Sequence, residues 1–273
     1  MVKKLFKHEY LAWLRIMPLI FGITLVVAGM LRLLMAFEHD SIYYDIVFVS
    51  AVFMFVVAMI TTFVSPGIFA IVRFYKNMFT GEGYLTHTLP VTPGNHLWVK
   101  LLTAISFDIA ALLVMLLAGL IVTAGEVQEE LWKAAAYLYR FFAKEIPEKY
   151  VGHIWCWLAE FHVITLLTST CSHLYFYLCI CIGQLFRKNR ILAAVGVYFG
   201  LYMVGQIIST VVTVMFTFVG MSGVLEELLL WIEKNPIETV HIFLAGSIVI
   251  ATIMATVYFL ICHTIIRKKL NLE

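Results

Sequence analysis

Apolar and polar positions fall in long blocks along this chain, not at the two-residue period of a half-buried strand. Mostly apolar runs cover 17–37, 46–72, 101–124, 155–186, 191–219 and 240–266. Each reaches the roughly 20 helical residues needed to cross a hydrocarbon core of about 30 Å. A closed β-barrel also satisfies every backbone group inside lipid, but it is built from short alternating segments. The pattern predicts an all-α membrane protein of six transmembrane helices, with residues 1–273 forming a single transmembrane domain.

The segments outside these runs have patterns of their own. Over 1–16, Val2, Leu5, Phe6, Tyr10, Trp13 and Leu14 share one helical face, while Lys3, Lys4, Lys7 and Glu9 fall on the other. Such a helix lies in the membrane interface and acts as a simple anchor or as an elbow that positions the first span. Residues 125–154 place Leu131, Ala135, Leu138 and Phe142 at helical spacing, which predicts a short amphipathic external helix interrupted by Pro147. Residues 220–237 are too apolar for a free loop and too short and acidic to cross, so they read as a re-entrant or interfacial hairpin. The first apolar run is long enough to span, and 37–40 offers no small-residue cleavage site, so this run is expected to be a span and not a removed leader.

Charge then sets an orientation. All but six of the 19 Lys and Arg (the six being Arg32, Lys133, Arg140, Lys144, Lys149 and Lys234) lie on segments that are inner if the N-terminus is cytoplasmic. This bias predicts cytoplasmic termini at both ends of a multi-pass protein. The chain is 62% hydrophobic and only 13% charged, with a formal net charge of +2. Its cations are parcelled out at membrane ends and form no extended basic patch, which argues against a nucleic-acid partner. The five cysteines lie in or beside the spans and suggest neither a disulfide framework nor a metal pair.

Motifs for chemistry are absent. There is no phosphate-binding G-x-x-x-x-G-K-[ST], no H-E-x-x-H and no nucleophile elbow, and Gly81 and Gly83 lack the third glycine and the preceding strand of a dinucleotide site. No catalytic residue, cofactor site or metal site is expected in this chain. Polar groups at membrane depth remain as candidates, because they are costly there and face protein or water. His162, Thr165, Ser169 and His173 recur on one stripe of the fourth span, and Asp108 and Glu160 lie within the third and fourth. They read either as interhelical hydrogen bonding or as the wall of a substrate path. Arg32 can snorkel, with Asp45 as its candidate ion-pair partner. Gly196 and Gly200 form a G-x-x-x-G that permits close helix packing.

The 74–98 segment mixes cations, glycines, prolines and aromatics. Gly81 and Gly83 give backbone freedom on either side of Glu82, while Pro90 and Pro93 stiffen the return. Phe74, Tyr75, Met78, Phe79, Tyr84 and Leu85 around a single acid suit either a docking knob for a protein partner or a set of interfacial aromatics.

The stretch FYKNMFTGEGYLTHTLPVTP resembles the loop between the second and third helices in permease subunits of bacterial ATP-binding-cassette exporters of the type-2 permease class. The elbow, the six spans and the apolar hairpin before the last span are similar to that class as well, so the resemblance covers essentially the whole chain. It implies that Phe79, Thr80, Gly81, Glu82, Gly83, Tyr84 and Leu85 form a cytoplasmic coupling helix seated in a separate ATPase subunit. That partner would carry the ATP and magnesium. The resemblance also implies a second permease copy or paralogue, a bacterial plasma-membrane location, and export of an amphipathic peptide or other hydrophobic substrate. The alternative is a self-contained channel or ion-driven carrier working through Asp108, Glu160 and the His162/His173 stripe.

Overall fold

The structure, a computed structural model, describes residues 2–37, 40–88, 90–145, 148–221 and 224–268. These form helices α1 (Val2–Trp13), α2 (Met17–Ala36), α3 (Ile42–Phe79), α4 (Gly81–Thr88), α5 (Pro93–Thr123), α6 (Glu126–Glu145), α7 (Glu148–Gly183), α8 (Arg190–Met221), α9 (Val224–Lys234) and α10 (Pro236–Lys268), with no strand among the described residues. Among the described residues, six segments are long and apolar enough to cross a membrane, built on α2, α3, α5, α7, α8 and α10. Large apolar side chains point outward along them, with Phe53, Phe63 and Phe243 each about 70% exposed, as a lipid-facing surface requires.

Except for α2, the spanning helices outrun the apolar runs that mark them. With 38 residues, α3 is about 57 Å long at 1.5 Å per residue, well beyond the hydrocarbon thickness. A hydropathy pattern stops at the first charged residues, whereas a helix continues until its backbone is capped or broken. Much of the 74–98 segment is therefore helical and not loop: α3 persists through Arg73 and Lys76 to Phe79, and α5 already starts at Pro93. Proline suits that first turn, where its missing N–H would have no helical partner. Pro147 falls outside the described residues. The 220–237 segment contains α9, whose 11 residues span only about 16 Å, too short to cross.

The chain divides into two compact units, Met1–Lys76 with Leu85–Ile146, and Asn77–Tyr84 with Pro147–Glu273. In the first unit α2 and α3 form an antiparallel pair. Near one end the Tyr44 hydroxyl donates to the Leu34 carbonyl at 2.8 Å, and further along the hydroxyls of Thr24 and Thr62 meet at 2.6 Å. Both α1 and α2 pack on α5. Trp13, 1% exposed, lies edge-on to Phe69 and stacked on Phe107, with ring centroids 4.8 and 4.9 Å away.

Pro66 sits inside α3, fully buried. Lacking an N–H, it leaves the carbonyl of Thr62 without its helical donor. The Ser65 hydroxyl donates to that carbonyl at 3.3 Å, so a side chain replaces the missing backbone bond.

In the second unit α7 and α10 run parallel. Their contacts advance together along both helices, from His153 with His241, through the Cys171 thiol donating to the Ala251 carbonyl, to the rings of Tyr175 and Tyr258. α8 returns antiparallel to α7. Tyr198 stacks on Phe176 at 5.7 Å, and its carbonyl accepts from the Tyr175 hydroxyl at 3.0 Å. Where the two helices meet, a Cβ placed on Gly183 would lie 2.7–2.8 Å from the backbone and Cβ of Ala194, so only glycine permits this approach. The turn between them uses Asn189 at φ 53°. That left-handed conformation is one asparagine tolerates. The other candidate close-packing glycines, Gly196 and Gly200, face open space within the chain.

Candidate functional site

Both stems of the 74–98 segment converge on one carboxylate. Glu9 of α1, 6% exposed, accepts from Arg73 Nε at 2.7 Å through Oε1 and from Arg73 Nη2 at 3.2 Å through Oε2. Lys100 Nζ of α5 donates to the same Oε1 at 3.3 Å and is 5% exposed. The two-pronged arginine contact fixes orientation as well as charge. Glu9 does not belong to the solvated face assigned to it by the sequence pattern. It lies four residues before Trp13, so the two side chains share the face that α1 turns to α3 and α5. A carboxylate is stable there only because two cations meet it.

Beyond these stems, the residues expected to form a coupling helix have mixed surroundings. Phe74, Met78 and Phe79 are buried at the end of α3. Thr80 separates α3 from α4, and its carbonyl accepts from the Gly83 N–H at 2.7 Å, closing the first turn of α4. Gly81 and Glu82 are exposed in that turn, while Gly83 is buried. Tyr84 and Leu85 continue α4, with side chains outside the described residues.

The polar residues of the spans do not share one environment. Asp108 is half-buried on α5. His162 and Thr165 are exposed and bond back to the carbonyls of Leu158 and Phe161, at 2.7 and 2.8 Å. Ser169 is half-buried, whereas His173 is 5% exposed and lies beside the Tyr177 ring. Arg32 approaches Gly125, and no ion pair joins it to Asp45 among the described residues.

Glu160 has a partner the sequence pattern did not reveal. His241 Nδ1 lies 2.8 and 3.0 Å from its two carboxylate oxygens, and His241 Nε2 lies 3.0 Å from His153 Nδ1. His153 and Glu160 are seven residues apart on α7, two helical turns along one face, which was the available signal. His241 belongs to another helix, and no local spacing connects it to them. Among the described residues no group of three or more His, Cys, Asp or Glu side chains is arranged to hold a metal ion. Comparison with protein-family models, curated proteins and solved structures finds no match for the chain.

Proposed function

We propose that this chain is the membrane-embedded subunit of an ATP-driven exporter, levered by a separate ATPase through α4. The observation that carries the reading is the short helix α4, which presents Gly81 and Glu82 at its exposed first turn between two membrane-length helices. The resemblance of FYKNMFTGEGYLTHTLPVTP to coupling loops gives that helix its role. The Glu9 cluster supplies mechanical sense: Arg73 and Lys100 tie the stems of this segment to α1, so a push on α4 reaches three helices together.

In this reading ATP binds to the partner and shifts the population between two arrangements of the spanning helices. The chain itself performs no chemistry. It works beside a second permease copy or paralogue in a bacterial plasma membrane, with both termini cytoplasmic. An amphipathic peptide or other hydrophobic compound is the cargo class that suits a greasy chain with little external mass.

Purification of the tagged chain from its native membrane tests the reading. An ATP-hydrolysing subunit is expected to accompany it, and Glu82→Lys, with its folding checked by thermal unfolding, is expected to release that subunit. A chain that purifies without any ATPase and drives ion-coupled flux alone in liposomes overturns the reading.

A further inference from the structure

We propose that the outward face of α1 is a binding surface for anionic phospholipid headgroups of the bilayer that holds the chain. An interfacial helix ordinarily buries its apolar side among the acyl chains. In α1 that side is already occupied by protein: Trp13 packs on Phe69 and Phe107, and the Tyr10 ring lies 5.1 Å from that of Phe107. The side left outward carries Lys3, Lys4, Lys7 and, just past the helix, Arg15, all of them exposed. Its charge is undiluted. The sole acid of α1, Glu9, is turned inward onto Arg73 and Lys100, and among the described residues no carboxylate pairs with the four outward cations.

The position of these charges calls for an anionic surface. Lys3 and Lys4 stand in the first turn of α1, which has no acid of its own. Cations are unfavourable at that end of a helix dipole, and a layer of negative headgroups removes the cost. The apolar groups among the cations favour lipid over an acidic protein. Leu11 and Leu14 are 44% and 43% exposed beside the lysines. A headgroup layer above acyl chains accommodates both kinds of side chain, because lysine stems run along apolar surface while their ammonium groups reach phosphate. Lys3, Lys4 and Lys7 also rim a shallow depression lined by Phe6, Tyr10 and Leu11, with the two rings stacked at 5.8 Å. Only residues 14–16 separate α1 from the spanning helix α2, which brings this face to the membrane surface. The inference is independent of the ATPase-coupled reading, since it requires only that α2 enters the bilayer.

The test uses the purified full chain in a neutral detergent, titrated with phosphatidylglycerol or with phosphatidylcholine of the same acyl chains, and bound lipid is read by native mass spectrometry. Phosphatidylglycerol is expected to bind more tightly. Each Lys at an anionic surface is worth about fivefold in affinity, so the triple variant Lys3→Gln, Lys4→Gln, Lys7→Gln is expected to weaken phosphatidylglycerol by about tenfold or more and to leave phosphatidylcholine unchanged. The corresponding triple Lys→Arg variant is expected to bind as the native chain does. Arg187→Gln with Lys188→Gln, which removes cations of the other unit, is expected to spare the tightest site. Inorganic phosphate in large excess is expected to displace no lipid, since it cannot use Leu11 and the ring pair. Three results overturn the proposal: native affinity for phosphatidylglycerol in the triple Gln variant, displacement of the lipid by inorganic phosphate, or loss of an acidic protein from the native-membrane preparation of that variant with lipid binding intact. If the triple Gln variant fails to fold, Lys4→Gln and Lys7→Gln are measured singly. A drop of about fivefold in each supports the surface, and two unchanged affinities overturn it.

Discussion

Arg73 holds Glu9 with two nitrogens, Nε at 2.7 Å and Nη2 at 3.2 Å, across 64 residues of sequence. The pair joins the amphipathic first helix to a membrane-length one, with Glu9 buried and Arg73 about a quarter exposed. Removing one member of a buried ion cluster costs more than the cluster contributes, because the remaining charges are left uncompensated. Glu9→Gln removes the carboxylate that Arg73 and Lys100 share, and is expected to lower the thermal stability of the chain in detergent. Arg73→Lys keeps the charge, loses the fork, and is expected to cost less.

The turn at Pro66 predicts a coupling between neighbours. Ser65→Ala leaves the Thr62 carbonyl without a donor and is expected to destabilise by about 1 kcal/mol. In a Pro66→Ala background the backbone N–H returns to that carbonyl, and the same serine substitution is expected to be close to neutral. A double-mutant cycle measured by thermal unfolding checks this; additive effects would show that the hydroxyl does not stand in for the backbone.

Gly183→Ala is expected to destabilise by about 1–3 kcal/mol, the usual penalty for overpacking, since the new Cβ meets Ala194 at 2.7–2.8 Å. Trimming the neighbour with Ala194→Gly is expected to give little rescue, because the Ala194 N and Cα remain at 2.8 Å. Gly196→Ala and Gly200→Ala, with open space at both positions, are expected to leave the isolated chain's unfolding unchanged. Loss of assembly in either one would place these glycines against a second subunit.

Topology is open to labelling. With Cys156→Ser removing the exposed thiol, a cysteine introduced at Glu82 is expected to react with an impermeant maleimide only after the cells are opened, and one at Lys133 without opening. The reverse pattern would move α4 to the outer face and separate it from any cytoplasmic ATPase.

Span number and helical class were legible in the sequence because apolar run length is set directly by membrane thickness. Helix ends were not: the second apolar run stops at 72, since charged Arg73 and Lys76 end a hydropathy window without ending a helix, and α3 continues to Phe79. Glu9 was misplaced for a related reason. A wheel sorts residues by polarity, and a buried carboxylate meeting cations from α3 and α5 looks, on α1 alone, like a solvated one. The stripe from His162 to His173 was a correct helical register, yet its members differ in exposure, because neighbouring helices cover only part of α7. His241 stood outside every local pattern, and its approach to Glu160 depends on α10 lying parallel to α7.

The repair at Pro66 also sets how α3 responds to load. A rotatable hydroxyl at 3.3 Å constrains its acceptor less tightly than a peptide N–H fixed in the helical ladder. With one rung of its ladder missing, the turn at Pro66 is expected to be a compliant point within the 38 residues of α3, about which the helical segments on either side can flex.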